Sequence, residues 1–228
     1  MSTRTYRPIP LPLLALVALV SAVVALAVSG GHDAAAHGDA THATTTDVSG
    51  RELALRQGMN KLWEDHVTWT RLAVISLTTG SPDTDATVAR LLRNQVDIGN
   101  AVKPFYGAKA GNALTGLLRE HILIAADLIA AAKAGNSSKV TAEQTRWTAN
   151  ADEIAALLSS ANPRLWKPAA MKAMMRHHLR LTTDEVVARL QGKWAADVRA
   201  YDRIHVQILH MSNMLSDGLV KQFPARFR

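Results

Sequence analysis

Leu62-Trp63-Glu64-Asp65-His66-Val67, Leu117-Leu118-Arg119-Glu120-His121-Ile122 and Met174-Met175-Arg176-His177-His178-Leu179 carry one pattern three times. Each run has two large apolar residues, a variable position, an acidic or histidine residue, a histidine and a further apolar residue. The three histidines lie 55 and 57 residues apart, the signature of an internally repeated helical unit. In each run the histidine falls on the apolar side of a helix. A buried imidazole without a partner costs on the order of 1–3 kcal/mol, so the repetition points to a buried polar network or a ligand site.

Outward from these runs, apolar residues recur at i, i+3, i+4 and i+7, and no stretch after residue 50 alternates with the period of a strand. An all-α bundle of about six helices, built from three repeated helical hairpins, follows. Thr78-Thr79-Gly80-Ser81-Pro82 closes the first helix, and Asp83 or Thr84 caps the second. Lys103-Pro104 ends the second helix, and Gly107 to Gly111 leads into the third. Ala134-Gly135-Asn136-Ser137-Ser138 breaks the third, and the fourth runs to about Ser160, before Asn162-Pro163. Pro168 suits the first turn of the fifth. Gln191-Gly192-Lys193 either turns the chain into a sixth helix or lies within one helix of about 50 residues, roughly 75 Å long.

The second arms of the hairpins also align, through Arg90-Leu91-x-x-Asn94, Arg146-Trp147-x-x-Asn150 and Lys193-Trp194-x-x-Asp197. Asn94 and Asn150 fall within the apolar stripe of their helices. At 1.5 Å per residue, His66 and Asn94 lie at similar depths from their shared turn, as do His121 and Asn150. Asp197 is too close to the last turn to meet His178, which leaves Asp202 as the other candidate partner.

These residues suggest a metal or small-ligand site within the bundle, with His66, His121, His178, Asn94, Asn150, Asp197, Asp202 and His205 as the candidate donors. Asp202-x-x-His205 has the i, i+3 spacing of carboxylate–histidine ligand pairs, but it occurs once, so a di-iron site is not expected. The residue types suit zinc, copper or iron. Haem is a lesser candidate, through axial histidine with Met171, Met174, Met175, Met211 or Met214, although methionine at helical spacing usually fills a core. A structural reading competes, in which the cluster only fixes helix register. Acid–base catalysis by histidine with Asp or Asn is a third reading. No Gly-x-Ser-x-Gly, His-Glu-x-x-His, phosphate loop or dinucleotide fingerprint supports it.

Residues 1–10 hold Arg4 and Arg7. Leu11 to Val28 follows as 18 uncharged residues, long enough to cross most of a bilayer. Residues 11–30 therefore read as a membrane anchor or a signal peptide, with the later domain outside the cytoplasm. Residues 31–50 read as a flexible linker of His, Ala and Thr, in which His32, His37 and His42 recur every five residues and offer a floppy site for a divalent metal. Residues 51–228 form the exported domain. It carries 24 Lys and Arg against 16 Asp and Glu, a surface suited to an anionic lipid or wall rather than to nucleic acid. The chain has no cysteine, so packing alone holds this domain.

Leu91-Leu92-Arg93-Asn94-Gln95-Val96-Asp97-Ile98-Gly99, Pro104-Phe105-Tyr106-Gly107, Leu118 to Ala125 and Asn150 to Ala155 resemble an uncharacterised bacterial all-helical family. Its members are sometimes labelled acetylglutamate kinase or glycosyltransferase. The resemblance covers about residues 55 to 225 and implies a helical fold with no established activity. A kinase of that name implies an α/β protein with Gly-rich phosphate loops, and a glycosyltransferase implies strands feeding a nucleotide-sugar site. The helical pattern shows neither.

Overall fold

The computed structural model describes residues 48–228. The expected anchor or signal, and the linker with His32, His37 and His42, lie outside the described residues. Five helices make up the domain: α1 (Gly50–Thr79), α2 (Thr84–Lys133), α3 (Ser137–Ala161), α4 (Pro168–Leu190) and α5 (Trp194–Gln222), closed by a short 3-10 turn at Pro224–Arg226. The described residues contain no strand.

Local chemistry sets most of the boundaries. Ser49 caps α1 by accepting the Glu52 N–H at 3.2 Å, and Asn136 caps α3 by accepting the Lys139 N–H at 3.0 Å. Pro168 occupies the first turn of α4. Asp83 holds the N-cap position of α2, but its carboxylate accepts from Ser76 Oγ at 2.8 Å and makes no cap. That bond ties the end of α1 to the start of α2. Gln191-Gly192-Lys193 is a turn, and Trp194 opens a separate helix.

Five helices are found where six were expected, and the difference lies at residues 103–107. Pro104 does not end its helix. The chain stays helical through it and breaks at Gly107, whose φ of 82° and ψ of 169° belong to glycine alone. Gly107 divides α2 into two arms, 84–106 and 108–133. A Cβ on Gly99 would lie 2.6 Å from the Gly111 carbonyl and would collide with Thr115 Oγ1. In a continuous helix Gly99 and Gly111 would stand roughly 18 Å apart, so the chain doubles back at Gly107. The two arms touch through glycine.

Because backbone forms one side of that contact, side-chain rotation cannot relieve it. We expect Gly99→Ala to lower stability by about 1–3 kcal/mol, a fall in Tm of roughly 2–4 °C per kcal/mol in a domain of this size. Thermal unfolding followed by circular dichroism checks this, and an unchanged Tm would contradict the close approach.

The core runs along the bundle axis. Met59, Trp63 and Val67 of α1 pack with Ile98, Leu114, Leu118, Ile154, Met175, Ile208 and Leu215 from the other helices. Among the described residues no helix is long and apolar enough to cross a membrane.

Candidate functional site

His66 on α1, His121 on the second arm of α2 and His178 on α4 all point into the bundle and are buried. Their rings meet at mid-height. The His66 and His178 centroids are 5.8 Å apart, and those of His121 and His178 are 6.4 Å apart. Trp63 stands edge-on to His66 at 5.7 Å, and Trp147 lies against His121 at 5.2 Å.

Each ring is held through Nδ1 by an amide on a neighbouring helix. His121 Nδ1 donates to Asn150 Oδ1 at 2.9 Å, and Asn150 Nδ2 donates to the Leu117 carbonyl at 3.1 Å. The second bond fixes the amide's orientation, so its oxygen faces the imidazole. His178 Nδ1 donates to Gln207 Oε1 at 3.0 Å. At His66 the partner is reversed. Gln95 Nε2 donates to the Leu91 carbonyl at 2.8 Å, which turns its nitrogen towards His66 Nδ1 at 3.3 Å. Asn94 Nδ2 donates to the Leu62 carbonyl at 3.0 Å, and Asn94 Oδ1 accepts from Gln95 at 3.1 Å. The protons follow from these contacts. His121 and His178 carry theirs on Nδ1 and offer Nε2 as an acceptor, whereas His66 carries its proton on Nε2.

All three imidazoles are neutral. Burial drives His66 well below the ordinary histidine value, and its neighbours His178 and His121 add to the shift. Burial and His178 bring His121 down to about 3 against the Asn150 contact, and burial lowers His178 against the Gln207 contact.

The histidine layer divides the bundle into unequal halves. Below it lies a void of only about 30 Å³ beside Met59, Trp63 and Met175. Above it a cavity of about 580 Å³ extends between the helices, walled by Ala73, Val74, Leu91, Ile122, Ile129 and Leu181. The hydroxyls of Thr70 and Thr182 reach this cavity, each donating to the carbonyl of the histidine one turn before it. Thr141 and Thr145 of α3 and His177, Arg180 and Asp184 of α4 are exposed and rim its mouth. His177 is lowered by burial and by the neighbouring Arg180.

Asp197, Asp202 and His205 do not join the histidines. Asp197 is buried in an ion network, with Arg71 Nη1 at 2.9 Å and Arg189 Nη1 at 2.9 Å, and Arg71 also binds Glu185 Oε1 at 2.6 Å. Burial pushes the Glu185 carboxyl up to about 7 against the pull of Arg71. Asp202 is exposed, and His205 Nε2 lies 3.4 Å from Glu64 on the outside of the bundle. None of Met171, Met174, Met175, Met211 and Met214 lines the larger cavity, and Met171, Met175 and Met211 belong to the packed core.

The third partner is therefore Gln207, neither Asp197 nor Asp202. Gln95 was missed as well. One signal identifies both, because an amide follows each histidine by 29 residues, at Gln95, Asn150 and Gln207. Aligning the second arms on Arg90, Arg146 and Lys193 placed the third partner ten residues too early.

Among the described residues no group of three or more His, Asp, Glu or Cys side chains is placed to hold a metal ion. Nδ1 of every ring meets an amide, which leaves Nε2 as the ring's free nitrogen. The rings brought together form no such group. They do fit hydrogen bonding to a molecule in the cavity. No family model, curated protein or solved structure matches this chain.

Proposed function

We propose that this chain is a binding protein for a small, mainly apolar organic molecule. The ligand occupies the upper half of the bundle and rests on the histidine layer. The observation that carries this reading is the cavity of about 580 Å³ ending on three neutral imidazoles. Pockets that enclose small ligands span about 300–1,000 Å³, with apolar walls and a few fixed polar groups. The matched pairs of His66 with Gln95, His121 with Asn150 and His178 with Gln207 support three repeated hairpins, the arms of α2 serving as separate members. A register-fixing role for the same pairs is the second reading, favoured by the amide bond that each ring already makes.

Filling the space separates the two. Ala126 lines the cavity and is half-buried. We expect Ala126→Trp to abolish the fluorescence enhancement of an apolar naphthalene dye bound to the protein, with the far-ultraviolet circular dichroism unchanged. Dye binding that persists in this variant leaves the register-fixing reading in place.

We also infer export, with residues 11–30 anchoring the domain to a membrane or being removed as a signal. Support comes from the uncharged run Leu11 to Val28 behind Arg4 and Arg7. Protease added outside intact spheroplasts should degrade the domain, and full protection would place it in the cytoplasm.

A further inference from the structure

The hydrogen-bonding inventory of the cavity floor specifies more than an apolar ligand. His121 and His178 each present an Nε2 acceptor, and His66 presents an Nε2–H donor, because the amides on the other side of the rings set the tautomers. The hydroxyl protons of Thr70 and Thr182 are spent on helical carbonyls, so these side chains add acceptors only.

The inner end of the cavity also lacks charge. Among the described residues that line it, the acid is Asp184 and the fixed cation is Arg180, both exposed at the mouth. A charged group carried to the floor would leave water without a counter-ion, at a cost of several kcal/mol. A group without polar atoms would leave the acceptors and donors there unanswered.

Resting on the ligand-binding reading above, we propose that the cavity takes an apolar molecule whose buried end is a neutral group that both donates and accepts hydrogen bonds, an alcohol or phenol hydroxyl. The hydroxyl proton goes to Nε2 of His121 or His178, and its oxygen accepts from Nε2–H of His66. The apolar body lies against Ala73, Ile122 and Leu181, with the mouth between α3 and α4 as the way in.

Four ring compounds of one skeleton test this against the full chain by isothermal titration calorimetry at neutral pH: naphthalene, naphthol, naphthoate and naphthylmethylamine. Naphthol is expected to bind about tenfold more tightly than naphthalene, the return for one to two net hydrogen bonds. Anionic naphthoate and the cationic amine should bind more weakly than naphthalene. In a variant carrying both His121→Leu and His178→Leu the naphthol advantage should fall below about threefold while naphthalene binding persists, because both acceptors are lost and the wall is not. Equal binding of naphthol and naphthalene to the unmodified protein would overturn the hydroxyl assignment and leave the binding cavity standing. Tightest binding by either charged compound would overturn it too. If neither naphthalene nor naphthol binds, the cavity reading falls with it. These comparisons on the unmodified protein decide the matter even if the variant fails to fold.

Discussion

Acidifying the protein from pH 7.5 to 4.5 is expected to lower its folding stability, a margin of about 5–15 kcal/mol in a domain of this kind. The sign follows from the three buried imidazoles. Their folded pKa values lie below the unfolded value near 6.5. Above that pH the rings are neutral in both states, and their contribution to stability is fully present. As the pH falls below it, the unfolded chain takes up protons that the folded chain refuses. Each ring then costs up to about 1.4 kcal/mol per pH unit, until the pH reaches its own folded pKa.

Glu185 works in the opposite direction. Its folded pKa is raised to about 7, so the folded state takes up this proton first, and acidification over the same range returns roughly 3 kcal/mol. With three rings against one carboxyl, the balance is a loss. Urea unfolding at several pH values measures it directly. A stability that rises between pH 7.5 and 5.5, as Glu185 alone would make it, would mean that the rings titrate as they do in water.

Replacing Asp197 with alanine should cost about 3–5 kcal/mol, the usual effect of removing one partner from a buried ion pair. Its carboxylate, 2% exposed, lies between the guanidinium groups of Arg71 and Arg189. Without it, Glu185 is the single acid left for two largely buried cations. Arg71 and Arg189 also stack on Tyr201 and Trp194, at 4.8 and 5.2 Å from the ring centroids, so they cannot swing freely to solvent. The resulting fall in Tm should be roughly 6–20 °C. Glu185→Gln should cost much less near neutral pH, where its carboxyl is already half protonated. Equal losses in the two variants would mean that Glu185 is fully ionised in the folded protein.

Helix ends were legible wherever short-range chemistry decides them, as at Gly80, at Asn136 and at Pro168. The convergence of His66, His121 and His178 could be read from their repetition and from their equal depth along the hairpins. Pro104 misled because a proline removes one helical hydrogen bond without reversing the chain, and the reversal needs the positive φ that Gly107 supplies three residues later. Asp197 misled for a different reason. It occupies the stripe expected of an inward residue, yet Arg71 reaches it from 126 residues away, a pairing that no local pattern announces. The cavity could not be read at all. It is lined by small side chains such as Ala73, Ala125 and Ala132, and periodicity reports which residues face inward without reporting whether they touch.

The division of the bundle at its histidine layer bears on how the molecule breathes. Below the rings, Trp63, Met175, Ile208 and Leu215 leave a void of about 30 Å³. Above them, helix ends surround a space nearly twenty times larger. Amide protons of the hollow end should therefore exchange through local opening, while those of the packed end wait for global unfolding. The turns at 80–83, 134–136 and 191–193 bound that hollow end and form the low-stability cooperative unit. On the ligand-binding proposal, a guest molecule would enter and leave through fluctuations of this half while the lower half keeps the helices in register.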